Sequence, residues 1–387
     1  MSGHPQPTDF DRAPFLAIWE TTRSCALVCK HCRASARLGR DPEELSTEEG
    51  RSLLSQAADM GTPIFILTGG DPLNRPDLEE LVGHGKSAGL RMGTIPAATE
   101  NLTLKRILSL KDAGLDQVAF SLDAPDAALH DRLRGVEGSF AKTLEGIAFA
   151  REAGLPLQIN TCFSSENFDR LEDMVRFVSG LGIVFWEVFF LIPIGRGAEL
   201  SSISAEQFDQ AFERMHKLND EVDFVIKLTE APHYRRYVIE KELAATDIKP
   251  SPAPNPTEPE SPQVRDRGLT DPQARIQRIL ARPRGVRNSI GLSPKAVNAG
   301  KGFVFIAYNG DICPSGFLPL PAGNIRSASL ASVYRDSPLF KELRNPKLLK
   351  GKCGPCPYAD ICGGSRARAY AVTNDYLAPE PFCSVPD

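Results

Sequence analysis

The chain has 387 residues, 42% apolar and 24% charged, with a net charge of −4. This is the balance of a globular protein long enough for two domains, and so small a net charge excludes broad electrostatic attraction to nucleic acid or to an anionic membrane. No run of about 18 apolar residues marks a membrane span, the polar start at 1–11 lacks a signal-peptide core, and nine cysteines in the cytoplasmic protein so expected point to metal or redox chemistry before disulfides.

From residue 15 to about 230, short β-rich apolar runs alternate with amphipathic stretches at βα spacing. Six strands are predicted, at 15–22, 64–68, 90–95, 117–122, 157–163 and 185–192, with helices between them such as 47–60 and 166–181. Ser46 is the expected N-cap of the first of these helices, and Glu49 completes its capping box. The alternation implies a parallel sheet with helices outside. An open doubly wound sheet and a partial barrel both satisfy it, and both put ligands at the carboxyl ends of the strands. Between 248 and 300 the chain turns proline-rich, which predicts a linker or surface insertion carrying one short helix at 271–280. A Gly-, Pro- and Cys-rich region, 303–387, follows.

Cys25, Cys29 and Cys32 stand in C-x3-C-x2-C spacing just after the first strand. Three thiolates from one loop can ligate three irons of a cubane cluster and leave the fourth open to a small molecule. A zinc knuckle is the alternative, with His31 wedged in as fourth ligand, but structural zinc prefers four ligands in paired C-x2-C elements. The segment Thr22-Arg-Ser-Cys25-Ala-Leu-Val-Cys29-Lys-His-Cys32 resembles the signature of the radical S-adenosylmethionine (SAM) superfamily. The resemblance implies an α/β fold with a partial (β/α)6 parallel barrel, a [4Fe-4S] cluster on these three cysteines, and SAM on the open iron. It also implies an external one-electron donor of flavodoxin or ferredoxin type.

Cys353, Cys356, Cys362 and Cys383 read C-x2-C-x5-C-x20-C. Spacing alone allows a structural zinc or a fully ligated cluster. The segment resembles the SPASM and twitch extensions of radical SAM barrels, which bind auxiliary clusters. Ala328 and the Ser365-Arg366 pair stand about where a full SPASM domain has further thiols, so one auxiliary [4Fe-4S] cluster is implied. The expected order is an N-terminal tail at 1–14, a barrel at 15–235, a connecting helix and Pro-rich insertion at 236–300, and an auxiliary-cluster domain at 301–387. Cys313 and Cys162 are expected to be ordinary buried thiols.

In Thr68-Gly69-Gly70-Asp71-Pro72 the glycines allow close backbone approach and the carboxylate accepts from a cation. The superfamily's glycine-rich turn meets the SAM amino group, and Asp71 stands where Glu is common. Ser121 and Asp123 after the fourth strand, Asn160 on the fifth, and Ile194-Gly195-Arg196-Gly197 after the sixth resemble further cofactor contacts. No catalytic side chain beyond the cluster site is assigned. His233, Arg235 and Arg236 are the substrate candidates, because guanidiniums clamp carboxylates, and Arg366 and Arg368 could either present similar groups or solvate a helix face.

Trp19-Glu-Thr-Thr-Arg23, the C-terminal cysteine pattern and Cys362-Gly-Gly-Ser-Arg-Ala-Arg-Ala-Tyr370 resemble the group containing heme b synthase and the enzyme of d-type heme biosynthesis. The implied reaction is hydrogen abstraction leading to decarboxylation or removal of tetrapyrrole side chains. A peptide-modifying SPASM maturase is the alternative enzyme. A non-enzymatic iron-sulfur carrier leaves the open three-cysteine loop and its Gly-Gly-Asp partner unexplained.

Overall fold

The computed structural model describes residues 9–245 and 296–385. The helix expected at 271–280 lies outside the described residues. Seven parallel strands follow one another in space as in sequence: β1 (Leu16–Glu20), β2 (Ile64–Thr68), β3 (Arg91–Thr94), β4 (Gln117–Ser121), β5 (Leu157–Phe163), β6 (Phe185–Phe190) and β7 (Val225–Thr229). The connecting helices are α1 (Thr47–Asp59), α2 (Leu78–Ser87), α3 (Leu104–Asp112), α4 (Ala127–Arg134), α5 (Ser139–Glu152), α6 (Leu171–Ser179) and α7 (Ala205–Glu221). α8 (His233–Ala245) comes after β7.

Local chemistry sets these boundaries. Ser46 accepts from Glu49 N while the Glu49 carboxylate accepts from Ser46 N, which completes the expected capping box on α1. Asp126 caps α4, and Gly135 ends it in the left-handed conformation at φ +71°. The helix expected at 166–181 begins later, at Leu171, because a 3-10 turn at Phe168–Arg170 takes up the first residues.

The run of sequential parallel strands has one more than the six expected. β7 was hidden because its inward positions carry Lys227 and Thr229 in place of apolar residues. The C-terminal region also joins the same sheet. β8 (Phe303–Ile306) pairs parallel with β1, and β9 (Asp311–Cys313) and β10 (Gly323–Asn324) continue antiparallel beyond it. α9 (Leu330–Asp336), α10 (Pro338–Arg344) and α11 (Arg366–Thr373) follow.

Along each strand the side chains divide between two faces. On β2, Phe65 and Leu67 are fully buried in the apolar core shared with the helices, while Ile64 and Ile66 point into an interior chamber. That chamber also receives Leu16, Ala119, Gln158, Phe185, Lys227 and Phe303, so strands from both ends of the sheet curve around one space. This is the geometry of a partial barrel, and it decides the choice that periodicity left open.

Candidate active site

The loop after β1 carries Cys25, Cys29 and Cys32, and all three line a cavity of about 220 Å³ at the carboxyl ends of the strands. Cys25 Sγ accepts from Leu27 N at 3.3 Å and Cys32 Sγ from Ala36 N at 3.5 Å. Backbone N–H groups aimed at sulfur are the partners that thiolate ligands of a cluster require. Burial pushes the Cys25 thiol up to about 12 and raises Cys29 as well, so these groups ionise when a metal binds the sulfur and displaces the proton to solvent. Three thiols on one cavity fit three irons of a cubane.

Close packing holds the loop in place. Gly70 N donates to Thr22 O and Asp71 N to Ser24 O, both at 2.7 Å. A Cβ on Gly69 would stand 2.5 Å from Thr22 O, and one on Gly70 2.5 Å from Ser24 O, so the glycine pair is what lets β2 meet the cysteine loop. On the other side, Arg196 Nε donates to Cys29 O at 2.8 Å, its Nη1 to Ala36 O at 2.9 Å, and its backbone N to Cys32 O at 3.1 Å. Arg33 pairs with Glu20 at 3.0 Å and stacks on Phe305 of β8, tying the loop to the C-terminal strands.

A buried polar cluster adjoins Cys29. Arg134, the last residue of α4, points Nη1 at Cys29 Sγ at 3.8 Å and Nη2 at Asp123 Oδ2 at 2.6 Å. The ion pair is close, yet Asp123 Oδ2 has no well-aligned hydrogen bond among the described residues, so the contact acts mainly as charge compensation. Although burial opposes it, the Arg134 charge beside Asp123 holds that carboxyl below the usual carboxylate range. Burial brings His31 and His130 down to about 4, so both imidazoles are neutral at pH 7. His31 Nε2 lies 3.5 Å from Asp123 Oδ2, and Asp123 N donates to His130 Nδ1.

Among the residues expected here, Gly69, Gly70, Ser121, Asp123 and Asn160 line the cavity with the three cysteines. Asp71 does not. Its Oδ1 accepts from Leu73 N and Ala97 N and its Oδ2 from Thr99 Oγ1, so the carboxylate is spent on bracing the turns behind the wall. Cys162, expected to be a core thiol, lines the cavity instead, and its backbone N donates to Asp123 Oδ1. Arg134 and His130 had no spacing in the sequence to announce them, and His31 was weighed there only as a zinc ligand. The one available signal was a pair of arginines, Arg132 and Arg134, closing a helix just before Gly135.

His233, Arg235 and Arg236 lie away from this cavity. His233 and Arg236 line a smaller one with Cys353, Cys356, Cys362 and Cys383. All four of those thiols therefore face one space. Cys353 Sγ accepts from Glu380 N at 3.5 Å and Cys362 Sγ from Gly364 N at 3.4 Å, the pattern seen at the first cysteine group, so the set fits a metal cluster. His233 packs between Phe208 and Phe212 with neither ring nitrogen bonded among the described residues. Arg366 and Arg368 neither solvate a surface nor face a substrate. Both are buried, Arg368 against Glu380 and Arg366 on the carbonyls of Tyr376 and Ala378. Cys313 is buried on β9, as expected of an ordinary thiol. No helix of the described residues is long and apolar enough to cross a membrane.

Residues 19–178 match the model of the radical SAM superfamily. The chain is 35% identical to the AdoMet-dependent heme synthase of Nitratidesulfovibrio vulgaris over 95% of its own length and 92% of that protein's. It is 29% identical to the PqqA peptide cyclase of Methylocella silvestris, over 96% of this chain and 87% of that one. Among solved structures, Streptococcus suis SuiB bound to S-adenosylmethionine superposes with a TM-score of 0.69 at 16% identity, covering 97% of this chain and 78% of that one. The last likeness is one of fold.

Proposed function

The chain belongs to the radical SAM superfamily and is an enzyme, and we propose that it removes carboxyl groups from tetrapyrrole propionate side chains by a radical route. The observation that carries this reading is the three-thiol cavity at the barrel mouth, taken with 35% identity to a heme synthase along nearly the whole chain.

Cys25, Cys29 and Cys32 would hold the [4Fe-4S] cluster, and Cys353, Cys356, Cys362 and Cys383 one auxiliary cluster. When bound, the first cluster supplies the electron that cleaves SAM reductively to the 5′-deoxyadenosyl radical, which takes a hydrogen atom from the substrate. The chain contributes binding, orientation and dryness. Gly69 and Gly70 bring open backbone to the cofactor, Ser121 and Asn160 offer polar contacts, and Asp123, neutralised by Arg134, supplies a fixed dipole. Ile95, Phe189 and Phe317 wall the cavity with apolar surface and keep water from a reactive radical. An external one-electron donor of flavodoxin or ferredoxin type would supply the electron, and the auxiliary cluster that Cys353, Cys356, Cys362 and Cys383 would hold would act as a relay.

The experiment is anaerobic turnover of iron coproporphyrin III with SAM and dithionite, followed by mass spectrometry for loss of carboxyl groups. Unchanged porphyrin in the presence of SAM cleavage contradicts the reading. A peptide-modifying role is the second reading, favoured by the likeness to a peptide cyclase. It requires that a peptide, and no tetrapyrrole, accelerate formation of 5′-deoxyadenosine.

A further inference from the structure

The interior chamber, about 160 Å³, adjoins the cysteine cavity and differs from it in chemistry. Ile95, Phe189 and Phe317 line both, so these three side chains mark the boundary where the two spaces meet. Most of the chamber wall is apolar. Across β4 to β7, however, a ladder of polar side chains interrupts it.

Gln117 Nε2 donates to Gln158 Oε1 at 2.6 Å, and Gln158 Nε2 donates onward to Asn160 Oδ1 at 2.7 Å and Glu187 Oε2 at 2.9 Å. Lys227 Nζ and Thr229 Oγ1 both donate to Glu187 Oε1, at 2.7 and 2.6 Å. Glu187 thus accepts from three donors and is fixed in place. Lys227 has three N–H bonds and spends one on Glu187, and its side chain is 28% exposed in a group that lines the chamber.

The second cation in this wall is engaged differently. Arg235 also lines the chamber, and its hydrogen bonds run to two backbone carbonyls, Val297 O at 2.8 Å and Ile361 O at 3.2 Å. No carboxylate among the described residues pairs with it. The remaining carboxyl in the wall, Glu230, accepts from Ser365 Oγ, and burial pushes it toward its neutral form. Lys227 thus keeps N–H bonds that no group among the described residues accepts, and Arg235 spends its own on carbonyls. A lysine with N–H bonds left over in a largely apolar enclosure favours a ligand anion that accepts them.

We propose that Lys227, held by Glu187 and backed by Arg235, anchors a carboxylate of the substrate in the barrel chamber. The inference rests on the tetrapyrrole reading above and deepens it. A space of about 160 Å³ admits a carboxylate-bearing arm and the edge of a ring, not a whole macrocycle. The anchored carboxylate is thus one that does not react, while another side chain of the same ring is presented to the cysteine cavity. Binding at a remote carboxylate fixes the geometry at the reacting one.

The test uses the full chain, anaerobically reconstituted with iron, sulfide and SAM, titrated with iron coproporphyrin III and with its tetramethyl ester while the Soret band is followed. The parent protein is expected to bind the acid about tenfold or more tighter than the ester. Lys227→Met is expected to lose that preference, and Lys227→Arg to keep it. Iron content and far-ultraviolet circular dichroism check folding, and Lys227→Gln, which preserves a hydrogen bond to Glu187 without the charge, carries the test if the Met variant does not fold. A Lys227→Gln or Lys227→Met protein that still prefers the acid overturns the anchor and leaves the tetrapyrrole reading standing. A parent protein that binds neither porphyrin overturns both.

Discussion

Arg134 Nη1 lies 3.8 Å from Cys29 Sγ while its Nη2 lies 2.6 Å from Asp123 Oδ2, so one guanidinium serves both a candidate metal ligand and a buried carboxylate. Removing it strands Asp123, which is fully buried, without its counter-charge. Arg134→Met should cost about 3–5 kcal/mol of stability, the penalty typical of breaking a buried pair from one side. Arg134→Met with Asp123→Asn should recover most of it, as read by urea unfolding of the reconstituted proteins. Equal stability of the two variants would contradict the pairing.

Gly195 offers a second handle on the cysteine loop. At φ +55° a Cβ there would stand 2.3 Å from Arg33 O and 2.5 Å from Cys32 O. Gly195→Ala should displace that loop, cost about 1–3 kcal/mol and lower iron content after reconstitution. Full iron content would show that the loop adapts at no cost to the site.

The C-terminal thiols make a stoichiometric prediction. Two cubane clusters correspond to about eight irons and eight sulfides per chain. Cys353→Ala with Cys356→Ala should bring both to about four and stop porphyrin turnover. Zinc in place of the second set of iron, measured by plasma emission, would reassign the site.

His233 gives a pH signature. Burial pushes its imidazole down to about 3, so the folded state holds it neutral while the unfolded chain takes up a proton below about 6.5. The folded pKa is depressed, so this contribution to stability is complete above the unfolded pKa and lost as pH falls toward about 3. At pH 5 the loss amounts to about 2 kcal/mol. His233→Phe, placed between Phe208 and Phe212, should remove that loss, leaving the part due to His31 and His130. Urea midpoints at pH 7 and pH 5 measure it, and an unchanged difference between the two would show that His233 titrates freely.

The strands and the cysteine loop were legible because their information is local. β2 matched its expected bounds, since Ile64 to Leu67 form an unbroken apolar run between turn residues, and the Ser46 and Glu49 box depends on a spacing of three. β7 was missed because Lys227 and Thr229 face inward, and a strand with polar groups on its buried side breaks the pattern by which strands are read. That break marks the chamber proposed to hold the substrate. The bonds of the Asp71 side chain were not legible for a related reason. A turn that brings glycines to a ligand also needs its own backbone donors satisfied, and Asp71 does the latter. Arg134, more than a hundred residues from Cys29, meets it only through the folding of α4 under the strand ends, which no spacing rule encodes.

The central claim is that Cys25, Cys29 and Cys32 form the site of reductive SAM cleavage, and one measurement tests it most directly. The full chain is reconstituted anaerobically, reduced with dithionite and assayed for 5′-deoxyadenosine formed from SAM, alongside Cys29→Ala prepared identically. The parent protein is predicted to form 5′-deoxyadenosine and the variant to form none above background. Persistent formation by Cys29→Ala would contradict the account.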